Sequence, residues 1–295
     1  MASDVPAVTQ TPIGMGTREP FLVDPGTSSQ LGGWKAGSGP PVLVLHGGPG
    51  LSYDYLDSMI DDIGGGYQVA IYQQRGLPPS STSSPVDVAQ EVDDVRRILD
   101  HLGWAKAWII GHSWGGHLLL HFAVAHPDRM LGGLAVDTLG GVGDGGLGPF
   151  EATMRDRASP EAVTRIDELE EAAAESESAD HSMREHLTLM WRGYFADPSS
   201  APPMPQIAVN ASAYGILMSA VVAELPNLEA SLAAISVPMG FLAGAKSPLP
   251  VDKSTRLTAA KIQHAWVEVA DQAGHFPWHE APGSVRRAVD RLVDN

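Results

Sequence analysis

The sequence predicts an α/β protein in which helices cover a mostly parallel sheet and a helical cap is inserted into that framework. Short runs rich in Val, Leu and Ile end in Gly/Pro turns, and segments with apolar residues at helical spacing lie between them. This alternation is typical of parallel strands joined by crossover helices. One long region without a strand pattern interrupts it, which indicates an insertion.

The candidate strands follow one another along most of the chain. They are "PPVLVLHGGPG", "YQVAIYQQRG", "AKAWIIG", "LGGLAVD", "VPMGFLAG" and "HAWVEVAD". Three segments have the helical period: "VDVAQEVDDVRRILDHLG", "WGGHLLLHFAVAHP" and "GSVRRAVDRLVD". We expect the apolar runs to be buried strands, with these helices packed on the sheet.

The predicted cap begins at a Gly-rich segment, "LGGVGDGGLG", and contains the acidic segment "SPEAVTRIDELEEAAAESESAD" and the aromatic piece "LTLMWRGYFADPSSAPPMP". We expect the acidic run to form a solvated helix face. The sequence therefore predicts a core in two parts, residues 1–139 and 231–295, with a cap at residues 140–230.

Composition narrows the function classes. The chain has 295 residues, no cysteine, and 19 basic against 35 acidic residues, for a net charge of −16. Without cysteine there is no disulfide, thiolate nucleophile or Cys-ligated metal. The charge disfavours nucleic acid and anionic membranes as partners. The start lacks a leader pattern and no stretch approaches the length of a membrane span, so we expect a cytoplasmic protein with a small-molecule substrate and an undetermined oligomeric state.

The motif "GHSWGG", Gly111 to Gly116, matches G-x-S-x-G between a predicted strand and a predicted helix. A sharp strand-to-helix turn raises a serine hydroxyl out of the sheet, towards a general base. Ser113 is therefore the candidate nucleophile. A Gly-rich turn with an incidental serine is the alternative.

Two backbone N–H groups are candidates for an oxyanion hole. The segment "LHGGPG" follows an earlier strand, so the N–H of Gly48, or less favourably Gly47, can face the N–H of Trp114 at the start of the helix. An ordinary Gly/Pro turn is the alternative.

The candidate base is His275, which follows the last predicted strand in "DQAGHFPWHEAP". His279 competes, but its place beside a helix start favours a surface or supporting role. The pair lacks the glutamate of H-E-x-x-H, so we expect no metal site. Three further histidines flank Ser113 in the sequence: His112 directly before it, and His117 and His121 in the predicted helix after it. We expect them to pack in the core or to line the pocket.

These residues resemble the α/β-hydrolase superfamily over nearly the whole chain. Within it, "HGGPG", "GHSWGG" and "QQRG" are similar to the proline-iminopeptidase branch. The resemblance implies an α/β-hydrolase fold with a mostly parallel eight-stranded sheet, a helical cap, Ser113 as nucleophile, His275 as base and no cofactor.

The position of the acid departs from that branch, in which an aspartate usually lies after the strand that follows the cap. Here the turn reads "LAGAKSPLP", with no carboxylate before Asp252, for which an N-cap role suffices. Asp137 ends the strand after the nucleophile helix, at the sheet edge where active sites gather. Zearalenone-type lactone hydrolases carry their acid after this strand. We therefore expect Asp137 to be the acid, with Asp252 the alternative.

The cap also departs from the peptidase pattern, which pairs Trp with Glu to bind a free amine. Here Arg192 follows Trp191, and a cation disfavours an ammonium group. Aromatic and Met residues of the cap could instead form an apolar wall or pack against the core: Trp191, Tyr194, Phe195, Met190, Met204 and Met218.

The sequence thus predicts a serine hydrolase of carboxylic esters or lactones, with macrolactones such as zearalenone among the candidate substrates. The alternatives are a proline iminopeptidase with a relocated acid, a cofactor-free dioxygenase on the same fold, and a non-catalytic binding protein. Intact nucleophile, base and glycine motifs speak against the last of these.

Overall fold

The computed structural model describes residues 16–83, 86–173 and 179–294. Its centre is an eight-stranded sheet in the order β1-β2-β4-β3-β5-β6-β7-β8, in which β4 to β8 are parallel to β3. The strands are β1 (Glu19–Val23), β2 (Leu31–Gly37), β3 (Pro41–Leu45), β4 (Gln68–Gln73), β5 (Ala107–His112), β6 (Met130–Val136), β7 (Met239–Gly244) and β8 (Ala265–Ala270). The mostly parallel sheet expected from the sequence is confirmed, and the six predicted strands are β3 to β8.

Strands β1 and β2 were not predicted from the sequence. They pair antiparallel with each other, and β2 pairs antiparallel with β4. β1 is largely exposed, and β2 reads "LGGWKAG", with glycines where the predicted strands have branched apolar residues. β1 lies at the sheet edge and buries less apolar surface, so its hydrophobic pattern is weaker, whereas the glycines of the buried β2 remove the apolar signal from its sequence.

Ten helices lie on and above the sheet in the described part of the chain. They are α1 (Asp57–Ile63), α2 (Val88–His101), α3 (Trp114–Ala125), α4 (Leu147–Arg157), α5 (Pro160–Ala173), α6 (Ala179–Met190), α7 (Ala211–Ser231), α8 (Leu257–Ala259), α9 (Pro277–Glu280) and α10 (Ser284–Asp294). α8 continues a π-helical turn, Asp252–Arg256. Part of the acidic run, residues 174–178, lies outside the described residues.

Helices cover both faces of the sheet, because side chains of successive strand residues point to opposite faces. Leu43 and Leu45 of β3 pack in the cluster that contains α2 and α3. Val42 and Val44 pack in the cluster that contains α1 and α10. Both faces are therefore apolar, as the continuous hydrophobic runs predict.

Helices α4 to α7 lie between β6 and β7 in the chain. The segment Ala211–Ala234, which includes α7, is long and apolar enough to cross a membrane by length and composition. The expectation that no stretch approaches the length of a membrane span is therefore wrong by this criterion, because Ser, Gly and Glu interrupt the apolar residues without ending the helix. In this structure α7 packs against α2, α3 and α6, with Leu217 and Val221 in the core.

Candidate active site

Ser113 lies at a sharp turn between β5 and α3, with φ 55° and ψ −119°. This left-handed conformation is strained for a residue with a side chain. Its backbone N–H donates to the carbonyl of Val136 on β6 (3.0 Å), which anchors the turn to the sheet. A Cβ on Gly115 would lie 2.7 Å from the carbonyl oxygen of His46, so the turn closes against the neighbouring loop only with glycine there.

The imidazole of His275 is buried on the loop after β8 and faces a carboxylate. Its Nδ1 lies 2.7 Å from Oδ1 of Asp137. Its backbone N–H donates to the carbonyl of Tyr194 in the inserted segment (2.8 Å). Glu280 ties the two segments together, since it accepts hydrogen bonds from the N–H groups of Gly274 (2.7 Å) and Ala196 (2.9 Å). The base loop is thus held partly by the insertion above it.

Asp137 directly follows β6, with φ 41°, and its carboxylate accepts two further hydrogen bonds. The N–H of Gly244 donates to Oδ2 (2.8 Å) and the hydroxyl of Ser247 donates to Oδ1 (2.5 Å). The turn "LAGAKSPLP" therefore supplies donors to the carboxylate. Two or three such donors stabilise a buried charge that would otherwise be costly.

Asp252, the alternative acid, does not contact His275. Its exposed carboxylate instead pairs with Arg256 one turn along the same helix (2.7 Å). The N-cap role expected for it is also wrong. Val251 occupies the N-cap position and Asp252 is the first residue of the π-helical turn.

Two residues of the cavity wall beside Ser113 have backbone N–H groups that are candidates for an oxyanion hole. Gly47 is already engaged, because its N–H donates to the hydroxyl of Tyr55 (2.7 Å). The N–H of Gly48 has no hydrogen-bond partner among the described residues, and Trp114, as the first residue of α3, has no preceding helical carbonyl. Gly48 and Trp114 both line the cavity. Such a pair can stabilise an anion formed at Ser113.

The cavity has a volume of about 630 Å³ and contains Ser113 and His275 in its wall. Of the residues expected to line it, Met190, Trp191, Tyr194 and Met218 do so. The expectation for Phe195 is wrong. Its side chain is buried and packs between Trp191 and Phe276, with ring centroids 5.5 and 5.2 Å away. Phe195 therefore belongs to the packing between the insertion and the base loop and not to the cavity wall.

Two further residues of the insertion lie outside the cavity wall. Met204 packs against the core cluster beneath it. Arg192 is exposed, so its charge does not argue against an amine in the cavity. Glu151 and Glu170 also lie in the cavity wall, which no sequence motif indicated.

The remaining histidines differ in their surroundings. His112 lines the cavity, and its ring centroid lies 4.6 Å from that of His275. His117 and His121 lie on α3 with their Nε2 atoms 3.3 Å apart, and burial lowers their pKa values to about 3 and about 4.

His279 is exposed, with Nε2 3.2 Å from the hydroxyl of Ser58. No group of three or more His, Cys, Asp or Glu in the described ranges is arranged to hold a metal ion.

The segment "QQRG" contributes supporting contacts that the sequence alone did not reveal. The side chain of Gln74 accepts from the indole of Trp114 (2.8 Å) and donates to the carbonyl of His46 (2.9 Å), which links α3 to the loop after β3. Arg75 forms a buried bidentate ion pair with Asp94 (2.5 and 2.8 Å). The motif was visible, but its partners are distant in the chain.

Comparison with curated proteins gives partial matches. Residues of this chain are 36% identical to epoxide hydrolase B of Mycobacterium tuberculosis over 97 residues, which cover 32% of this chain and 27% of that protein. They are 27% identical to proline iminopeptidase of Clostridium botulinum over 158 residues, covering 51% and 50%. The matched segments thus span about a quarter to a half of these relatives.

Solved structures match nearly the whole chain. An alpha/beta fold family hydrolase from Bacillus anthracis has a TM-score of 0.72 at 15% identity, covering 93% of this chain and 99% of that one. The 2-hydroxy-6-oxo-6-phenylhexa-2,4-dienoate hydrolase from a Rhodococcus strain has a TM-score of 0.68 at 20% identity, covering 95% and 100%. The family model described as alpha/beta hydrolase fold matches residues 40–282. This protein therefore belongs to the α/β-hydrolase family.

Proposed function

We propose that the protein is a serine hydrolase that cleaves carboxylic esters or lactones through an acyl-enzyme. One observation carries the proposal: Ser113 and the buried His275–Asp137 pair meet at one cavity, beside Gly48 and Trp114, whose N–H groups have no hydrogen-bond partner among the described residues. The family and its hydrolase-named relatives support an enzyme of this class.

In the proposed reaction Nε2 of His275 takes the proton of the Ser113 hydroxyl as the serine oxygen attacks the substrate carbonyl. The hydrogen bond from Nδ1 to Asp137 fixes the tautomer that leaves Nε2 free as a base, and the carboxylate stabilises the imidazolium. His275 then gives the proton to the leaving alcohol. Water attacks the acyl-enzyme with the same histidine as base.

The tetrahedral intermediate carries a negative oxygen, which the N–H groups of Gly48 and Trp114 would stabilise. Each donor of this kind contributes on the order of 3 kcal/mol to the lowering of the barrier. Trp114 also places the oxyanion at the positive end of α3.

The cavity favours an apolar acyl or alcohol group of drug-like size, because such sites are lined mainly by aromatic and aliphatic side chains. Trp191, Tyr194 and Phe276 form its aromatic wall, and Met190 and Met218 add adaptable surface. If the substrate is a macrolactone, the acyl group and the alcohol remain joined after the ester bond is cleaved, so both stay in the cavity. Its tethered alcohol would compete with water for the acyl-enzyme.

An aminopeptidase is the second candidate, because Glu151 and Glu170 line the cavity and could bind a free amine. Arg155 lies 3.8 Å from Glu170 and offsets part of that negative charge. We therefore place this activity second.

The test is hydrolysis by the purified protein of p-nitrophenyl esters, zearalenone, proline p-nitroanilide and styrene oxide, with oxygen uptake followed in parallel. We expect ester or lactone turnover, loss of turnover in Ser113→Ala, and a fluorophosphonate adduct on Ser113 in the wild type that is absent in Ser113→Ala. Ser212→Ala, an exposed serine of α7, is the matched control. Turnover of the anilide or the epoxide alone, or oxygen uptake without hydrolysis, would contradict the proposal.

A further inference from the structure

We propose that Tyr55 and His112 are positioning residues that hold the oxyanion loop and the base loop against the nucleophile turn. The inference rests on the proposed hydrolase function for its catalytic consequence. Its structural content, a directed chain of hydrogen bonds, can be tested without any substrate.

The chain joins three segments that are far apart in sequence. The N–H of Gly47, next to the candidate oxyanion donor Gly48, lies 2.7 Å from the hydroxyl of Tyr55. That hydroxyl lies 2.9 Å from Nδ1 of His112, the residue before the nucleophile. Nε2 of His112 lies 3.0 Å from the backbone carbonyl of His275. The oxyanion loop, the nucleophile turn and the base loop are thereby linked in one series.

The chemistry of the partners fixes the direction of every hydrogen bond. A carbonyl only accepts, so Nε2 of His112 carries a proton and donates to His275. In the neutral ring Nδ1 is then an acceptor, so the Tyr55 hydroxyl donates to it. The oxygen of Tyr55 in turn accepts from the N–H of Gly47. With the ring proton on Nδ1 instead, Nε2 would face the carbonyl of His275 as one acceptor against another, and the hydroxyl proton of Tyr55 would lose its acceptor.

The residues of the chain are largely buried, so a lost hydrogen bond within it is not readily replaced by water. Tyr55, His112 and His275 are each buried. Burial and the nearby His275 lower the pKa of His112 well below its usual value, which agrees with a neutral ring. Leaving one of these buried polar groups without a partner is costly, so the chain favours the observed positions of the oxyanion loop and the base loop.

Glycine at position 47 permits this arrangement. A Cβ there would lie 2.8 Å from the hydroxyl of Tyr55 and 2.8 Å from Cβ of Ser113. Gly47 therefore lies between the Tyr55 hydroxyl and the side chain of Ser113, with no room for a side chain of its own. The aromatic rings of Phe276 and Trp278, 5.5 and 4.9 Å from the His112 ring, exclude other polar partners from this side.

The first arm of the test is nitrogen NMR of the wild-type protein labelled at histidine, with the His112 signals assigned by their loss in His112→Phe. At pH 7 we expect the neutral tautomer with the proton on Nε2 and Nδ1 unprotonated. A proton on Nδ1, in either a neutral or a charged ring, would overturn the chain. This arm needs no activity, so it separates failure of the inference from failure of the proposed function.

The second arm is the kinetics of Tyr55→Phe on the best ester or lactone. We expect kcat to fall by about 10- to 100-fold, because a small displacement of the oxyanion donor weakens stabilisation of the transition state. KM should change by less than about threefold, since substrate contacts remain. The matched control is Tyr72→Phe, a buried tyrosine of β4 whose hydroxyl has no described partner, and it should retain the wild-type kcat.

The double variant Tyr55→Phe, His112→Phe completes the test. Residues that act as one chain give non-additive effects, so we expect the double variant to be no slower than the slower single variant. The positioning role would be overturned if the fold-losses in kcat of the two single variants multiplied in the double variant, or if folded Tyr55→Phe kept the wild-type kcat. If Tyr55→Phe does not fold, the wild-type NMR result still decides the inference.

Discussion

The hydroxyl of Ser247 lies 2.5 Å from Oδ1 of Asp137, the same carboxylate oxygen that faces Nδ1 of His275 at 2.7 Å. The turn after β7 therefore contributes a hydrogen-bond donor to a carboxylate that comes from the end of β6. This arrangement places the acid, its support and the base on three adjacent strand ends.

Replacing Asp137 by Asn should lower kcat for the ester or lactone by about 10⁴-fold, because the amide favours the wrong tautomer of His275. Steady-state kinetics on the purified, folded variant measures the effect. Asp252→Asn is the matched control, since the exposed Asp252 only pairs with Arg256, and it should keep the wild-type rate. Equal losses in the two variants would contradict the assignment of the acid.

Replacing Ser247 by Ala should lower kcat by about tenfold with little effect on KM. The loss removes one hydrogen bond to a charged carboxylate, a contribution of about 1.5 to 3 kcal/mol, of which part is recovered by relaxation. It also removes the acceptor for the N–H of Leu249 (3.0 Å). The exposed Ser219→Ala on α7 serves as control. A wild-type kcat in Ser247→Ala would show that Gly244 alone supports Asp137.

Two helical glycines should respond oppositely to Ala. In Gly115→Ala the new Cβ would lie 2.6 Å from the backbone carbon of Leu45, so we expect a large loss of stability or failure to fold. In Gly215→Ala on α7 no heavy atom lies within 4 Å of the new Cβ, so we expect a gain of about 0.5 to 1 kcal/mol. Urea unfolding of both variants measures this contrast. Similar midpoints for the two would mean that the turn at Ser113 can relax.

The free energy of unfolding should fall as pH decreases from about 6.5 towards 4. Burial lowers the pKa of His46 to about 4, of His117 to about 3 and of His121 to about 4, from 6.5 in the unfolded chain. Between the folded pKa values and pH 6.5 these histidines bind more protons in the unfolded chain than in the folded one. Their contribution to the free energy of unfolding is therefore complete above pH 6.5 and is lost as the pH falls. Each histidine contributes at most about 1.4 kcal/mol per pH unit.

The corresponding measurement is urea unfolding at several pH values across this window. His121→Gln should flatten the pH dependence, whereas Ser219→Ala, an exposed substitution that removes no titratable group, should leave it unchanged. A slope that is the same in His121→Gln as in the wild type would show that His121 does not titrate differently on folding.

The local parts of the fold and site could be predicted from the sequence. The alternation of apolar runs and helical segments reflects burial of the sheet on both faces, and each pattern is contained in a few neighbouring residues. The turn at Ser113 is likewise a local property, because strand, glycines and helix start lie within "WIIGHSWGG". These features depend on backbone sterics and hydrophobic periodicity, which are determined by residues close together in the sequence.

Contacts between distant residues were decided only by the tertiary structure. Asp137 and His275 are 138 positions apart, and they meet because β6 pairs with β7, which pairs with β8, so that their ends lie at one edge. Sequence indicated Asp137 but left Asp252 open, placed Phe195 in the pocket, and gave no sign of Tyr55 beside His112. Strand register and the seating of the insertion set these distances, and both arise from packing summed over the whole chain.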